Sequence, residues 1–201
     1  MKTISDQTFL AWAADAGLVP DPAYPNSRQQ LVFTPPQDFW AVWESPRETS
    51  DRTVFLERVF AIVGGDNSIR IRLRGGGAFR VESPSSEQEA ALRSALSLAG
   101  VHEHATGAIE FDRSERPALV NLAAAFISLG YRVETDLELV PVDRSACLML
   151  DHHGEVVVRF ASPEALHDFS NAMAAAGYPQ PDDEQGDQQA ATSATSRPTS
   201  R

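Results

Sequence analysis

The sequence predicts an α+β fold, with helices packed on one face of an antiparallel or mixed sheet. Three observations predict it. First, Ile69–Val101 lays over Ala146–Tyr178 without a gap, at an offset of about 77 residues (Leu73 onto Leu150). Gly77 then meets Gly154, Val81 meets Val158, Ser85 meets Ser162 and Gly100 meets Gly177, which argues for two pseudo-repeated units of hairpin plus helix. Second, five segments with helical apolar spacing each follow a polar cap and stop at a glycine. Third, hairpin patterns stand next to two of those helices, an order that favours α+β. The second half reads βαβββα, ferredoxin-like in plan with one added strand. One compact body is expected over residues 1–178. Its repeat-like halves lie at about 31–101 and 108–178, with an N-terminal helix at 5–16.

The helices follow in order. Ser5 opens the first, through Phe9, Leu10, Ala13 and Ala16, and Gly17 stops it. Asp51 opens the second, through Phe55, Leu56, Val59, Phe60 and Val63, ending at Gly64. Ser86 with Glu89 is a capping box for the third, which carries Leu92, Ala95, Leu96 and Ala99 to Gly100. Ser114, with Pro117 in the first turn, opens the most apolar helix, through Leu119, Leu122, Ala123, Phe126 and Ile127 to Gly130. Ser162 and Pro163 open the last, through Leu166, Phe169, Met173 and Ala176 to Gly177. In each, a side-chain oxygen takes an orphan N–H at the start and glycine takes the left-handed closing position.

The expected strands are Leu31–Phe33, a hairpin of 68–74 with 78–83, Ala108–Phe111, a long stretch over 131–142 broken near Asp136 or Pro141, and a hairpin of 145–151 with 155–160. Residues 20–46 are proline-rich and read as irregular. A three-residue turn at Gly75–Gly77 would pair Leu73 with Phe79 and Ile71 with Val81, leaving Arg70, Arg72, Arg74 and Arg80 on the opposite face. A turn at His152–Gly154 would set Leu148, Leu150, Val156 and Val158 together, with Cys147, Met149, Val157 and Arg159 behind them. The tail 179–201 is polar, has few large apolar residues, and reads as disordered.

Composition narrows the function. The chain of 201 residues carries a formal net charge of −11 and a pI near 4.8. That charge repels phosphate backbones and favours a protein partner, particularly a basic one, over nucleic acid. Cys147 is the single cysteine, so no internal disulfide framework exists and a cytoplasmic location fits. No run reaches the ~20 apolar residues of a membrane span, so no membrane partner is expected.

The leading candidate binding residues are Arg70, Arg72, Arg74 and Arg80, whose guanidiniums on one face could take a carboxylate or phosphate. The competing reading is a solvated face neutralised by the protein's own acids. A second candidate is the aromatic cluster Phe39, Trp40 and Trp43, either a binding surface or a loop pinned to the core by its rings. His102, Glu103, His104, His152 and His153 would supply metal ligands only if two loops met; no metal and no cofactor is expected. Asp151-His152-His153 spells the DHH phosphoesterase letters but lacks that family's aspartate-rich motifs, and no resemblance follows. The glycine runs at 64–65 and 75–77 lack the lysine of a phosphate loop. No nucleophile–base motif is present, so no catalytic residue is assigned. The first expectation is a non-enzymatic interaction protein, antidote- or adaptor-like. The alternatives are a small-anion-binding regulatory module on the arginine face and a metal-dependent enzyme built on the histidine loops.

Overall fold

The computed structural model describes residues 2–22, 30–74, 78–79, 86–101, 105–129, 136–151 and 153–180. Along the chain these form β1 (Lys2–Ile4), α1 (Asp6–Ala14), β2 (Leu18–Pro20), β3 (Leu31–Phe33), β4 (Phe39–Glu44), α2 (Thr49–Gly64), β5 (Ile69–Leu73), α3 (Glu87–Leu98), β6 (Ala108–Phe111), α4 (Arg116–Leu129), β7 (Leu137–Pro141), β8 (Ala146–Leu150), β9 (Glu155–Phe160) and α5 (Pro163–Ala175). Seven strands make one antiparallel sheet in the order β1-β6-β5-β7-β8-β9-β4, and β2 pairs with β3 in a small separate ribbon. The α+β class is thereby established.

Strand alternation sorts the sheet into two faces. Ile69, Ile71, Leu73, Ile109, Leu137, Leu139, Leu148, Leu150, Val156, Val158 and Trp43 point into the main core under the helices. There α4 packs between α2 and α3, while α5 lies beside α2 over β4 and β9. The α4 run of Leu119, Leu122, Ala123, Phe126 and Ile127 is buried throughout, as its wide apolar arc requires. The opposite face is covered by α1 and the β2–β3 ribbon, through a second core of Ile4, Phe9, Ala13, Leu18, Leu31 and Phe33 against Ala108, Val140 and Cys147.

The caps at Ser5, Ser86 and Ser162 form as the sequence predicts, each hydroxyl accepting the backbone N–H three residues on. Two starts differ. The second helix begins at Thr49, before Asp51, and Glu48 makes no side-chain cap. Ahead of α4, Asp112 and not Ser114 takes the cap, in a reciprocal box with Glu115 over a 3₁₀ turn at Arg113–Glu115. Asp112 Oδ1 accepts the N–H groups of both Ser114 and Glu115, and the Glu115 carboxylate accepts the Asp112 N–H in return.

The second hairpin has the expected register, Leu148 opposite Val158 and Leu150 opposite Val156. The first does not form as expected. Ile71 has Ile109 of β6 on one side and Leu139 of β7 on the other, so the expected pairing partner has no free edge to take there. β5 is a central strand with both edges taken. Phe79 is buried, and Ala78 bridges Thr106 instead. Residues 75–77, Arg80, Val81, the loop 102–104, His152 and the tail from 181 lie outside the described residues. The stretch 20–46, expected to be irregular beyond Leu31–Phe33, also contains β4, and the sheet gains a seventh strand there.

Candidate functional site

The face behind the main core carries the charged side chains. Arg70 and Arg72 alternate with Ile69, Ile71 and Leu73, so β5 sends its guanidiniums to this side. Across the ladder Arg70 stands opposite Glu110 and Val140, and Arg72 stands opposite Glu138. The face is not open to solvent, as the sequence alone suggested, because the N-terminal layer folds over it. Arg72 is 2% exposed; its Nε donates to Glu138 Oε2 at 2.7 Å and its guanidinium donates to Asp6 Oδ1 at 2.9 Å. Glu138 is fully buried, and its other oxygen accepts the Leu31 N–H at 2.7 Å. One carboxylate therefore joins β7, β5 and β3.

The neighbours repeat the pattern. Arg70 Nε donates to Glu110 Oε2 at 2.8 Å and its guanidinium stacks 4.0 Å from the Trp12 ring centre. Arg74 pairs with Asp136. Arg159 pairs with Asp38, whose Oδ1 accepts the Phe33 N–H. The three described arginines of the predicted site thus each hold a carboxylate of the chain itself. Burial works against the charge of Arg72, but Glu138 and Asp6 outweigh it and hold its pKa above the ordinary arginine value. Burial pushes Glu138 up, with Arg72 and the Leu31 amide opposing only in part. Asp38 is raised for the same reason, against Arg159 and the Phe33 amide. Burial also pushes the Cys147 thiol far up, so no thiolate nucleophile exists at neutral pH.

The aromatic cluster is divided by the pleat of β4. Trp43 turns into the main core at 3% exposure, edge-on to Phe169 at 5.1 Å, and its indole N–H donates to the Tyr178 carbonyl at 3.2 Å. Phe39 is half-buried, opposite Phe160. Trp40 faces the other way, 37% exposed, opposite Arg159 and 5.7 Å from its guanidinium. The sequence signal for this strand was the unbroken apolar run Phe39–Trp43, rich in aromatics and bounded by Pro36 and Pro46.

β4 lies at the end of the sheet, with β9 on one side and no described strand on the other. The Ser45 N–H donates to the Gly154 carbonyl at 2.9 Å, which sets the phase of the ladder. In an antiparallel pair the backbone groups of alternate residues turn to opposite sides. Trp43, Ala41 and Phe39 therefore face β9, while Trp40, Val42 and Glu44 turn N–H and C=O outward. None of these outward groups has a partner among the described residues. The far edge of the sheet differs: β1 has three residues and begins with Lys2.

Of the predicted metal ligands, only His153 among the four histidines is described; its Nε2 lies 3.9 Å from Asp151. Among the described residues no group of three His, Cys, Asp or Glu side chains converges, and no helix is long and apolar enough to cross a membrane. Compared with protein-family models, curated proteins and solved structures, the chain matches none.

Proposed function

We propose that this protein is a non-enzymatic binding module that receives an extended segment of another protein as an additional strand along β4. The observation that carries the reading is the open β4 edge, with outward backbone at Trp40, Val42 and Glu44. Natural sheets blunt their edges with short strands, lysines, prolines or bulges, because unpaired backbone is a template for another chain. β1 follows that rule. β4 does so only through Glu44 at its end: the preceding five residues FWAVW contain no charge, proline or bulge, and Pro36 and Pro46 lie beyond its ends. Strand addition supplies main-chain hydrogen bonds for affinity and alternate side chains for specificity. The net charge of −11 steers basic partners toward the protein, as an adaptor or antidote would need. The arginine face supports this role less directly, because its described guanidiniums already bond to the chain's own acids.

Val42→Pro tests the reading. The Val42 N–H points outward, so proline removes an edge donor without removing a bond to β9. A partner isolated on the wild-type protein should bind Val42→Pro at least about tenfold more weakly, with the melting temperature within a few degrees of wild type. In the complex, the amides of Trp40, Val42 and Glu44 should gain protection from hydrogen exchange. Equal binding by the proline variant would place the partner elsewhere.

A further inference from the structure

The β4 edge also carries information about its occupant. Glu44 stands directly opposite Glu155 across the β4–β9 ladder, and both side chains are exposed on the face opposite the helices. Like charges in that position repel at close range. Neither carboxylate has an ion pair or hydrogen bond among the described residues, although five other acids of this face or its cover, Asp6, Asp38, Glu110, Asp136 and Glu138, all pair with arginine. The uncompensated charge thus sits at the end of the open strand. Beside it on the same face of β4 stand Val42 and the exposed Trp40.

We infer that the segment added to β4 runs antiparallel to it and carries a lysine or arginine opposite Glu44, followed two and four residues later by apolar side chains opposite Val42 and Trp40. This rests on the proposed strand addition and specifies its partner. Antiparallel pairing extends the pattern of the whole sheet. Trp40, Val42 and Glu44 are the residues with outward backbone, so partner residues opposite them exchange both main-chain bonds and lay their side chains alongside on the same face. The cation completes a three-strand row with Glu44 and Glu155, turning a repulsive pair into an attractive cluster. The two apolar residues cover Val42 and the Trp40 ring. The intervening positions face the helix side, next to Ala41 and Trp43.

The test uses the full chain, labelled with nitrogen-15, and three capped nine-residue peptides. Each carries threonine–valine–threonine–valine after lysine, glutamine or glutamate, with Ser-Gly at both ends. Amide shifts of Val42 and Glu44 report binding. The lysine peptide should bind about tenfold more tightly than the glutamate peptide, with glutamine between them. Glu44→Lys should reverse the order, and Val42→Pro should abolish all binding. If all three peptides bind equally and only Val42→Pro removes binding, the basic specificity is overturned while strand addition stands. If no peptide shifts the β4 amides at about 1 mM, both fail. If the protein instead forms a dimer that Val42→Pro abolishes, the occupant is a second copy and the inference is wrong.

Discussion

Glu138 holds Leu31 by its backbone: Oε1 accepts the Leu31 N–H at 2.7 Å while Oε2 bonds to Arg72 Nε at the same distance. The β2–β3 ribbon is thereby attached to the middle of the sheet by a group that would be costly to bury alone. A buried pair contributes little by itself, but losing one partner is expensive because the other is left without compensation.

Arg72→Ala should therefore destabilise the protein by about 3–5 kcal/mol, measured by urea unfolding. The exposed Arg58→Ala on α2 should stay within about 0.5 kcal/mol. Arg72→Glu should be at least as damaging as the alanine change, since it sets three carboxylates together. A loss below about 1 kcal/mol for Arg72→Ala would show that the N-terminal layer does not close over this face.

The joint has a definite pH signature. The folded pKa of Glu138 is raised above its ordinary value of 4.5. Between those two values the folded state holds more protons than the unfolded one. Stability from this group is fully present below 4.5 and is lost as pH rises through the folded value. Glu138→Gln cannot titrate. Wild type should therefore gain stability relative to Glu138→Gln as pH falls from 7.5 toward about 4.5. The opposite slope in paired melting curves would mean that Arg72 and the Leu31 amide hold the carboxylate below its ordinary value.

Gly107 precedes β6 at φ +86°, where a Cβ would lie 2.3 Å from the Ile4 carbonyl oxygen and 3.0 Å from the Asp6 nitrogen. Both are backbone atoms and cannot rotate away. Gly107→Ala should cost more than about 2 kcal/mol and free β1 from β6, visible as faster hydrogen exchange at Thr3 and Ile4. Gly65 at φ +50° and ψ −120° has nothing within 4 Å of its built Cβ, so Gly65→Ala carries backbone strain alone, about 1–3 kcal/mol, and should cost less than Gly107→Ala. Equal costs at the two sites would mean that the close approach at Ile4 relaxes.

Local chemistry was the most legible part of this chain. The caps at Ser5, Ser86 and Ser162, the left-handed Gly17, Gly100 and Gly177 and the β8–β9 register all follow from interactions within a few residues, and the sequence predicts them; the cap at Asp112 and the stop at Gly65 each lie a residue or two from the expected position. The phase of β5 was legible as well, since Arg70 and Arg72 alternate with Ile69, Ile71 and Leu73. What covers those arginines was not. Their partners Asp6, Glu110, Asp136 and Glu138 are each dozens of residues away, and alternation says only that a side chain leaves the core, not whether water or another layer meets it. The likeness of Ile69–Val101 to Ala146–Tyr178 suggested like pairing, yet a strand's partner depends on which edges remain free. β4 was masked by its prolines: Phe39, Trp40 and Trp43 read as one cluster, whereas a two-residue period sends Trp43 to Phe169 and Trp40 outward.

The Glu138–Leu31 contact spans 107 positions, and this fixes an order of events during synthesis. Leu31 leaves the ribosome long before Glu138 exists, and Asp6 waits in the same way for Arg72. Until β7–β9 are made, Phe9, Leu18, Leu31 and Phe33 have no complete surface to cover. The early segment stays unassembled and adhesive while the later chain emerges, which is the condition under which chaperones engage nascent polypeptides. A ribosome stalled before residue 138 would carry a chain whose second core lacks Val140 and Cys147 and cannot close.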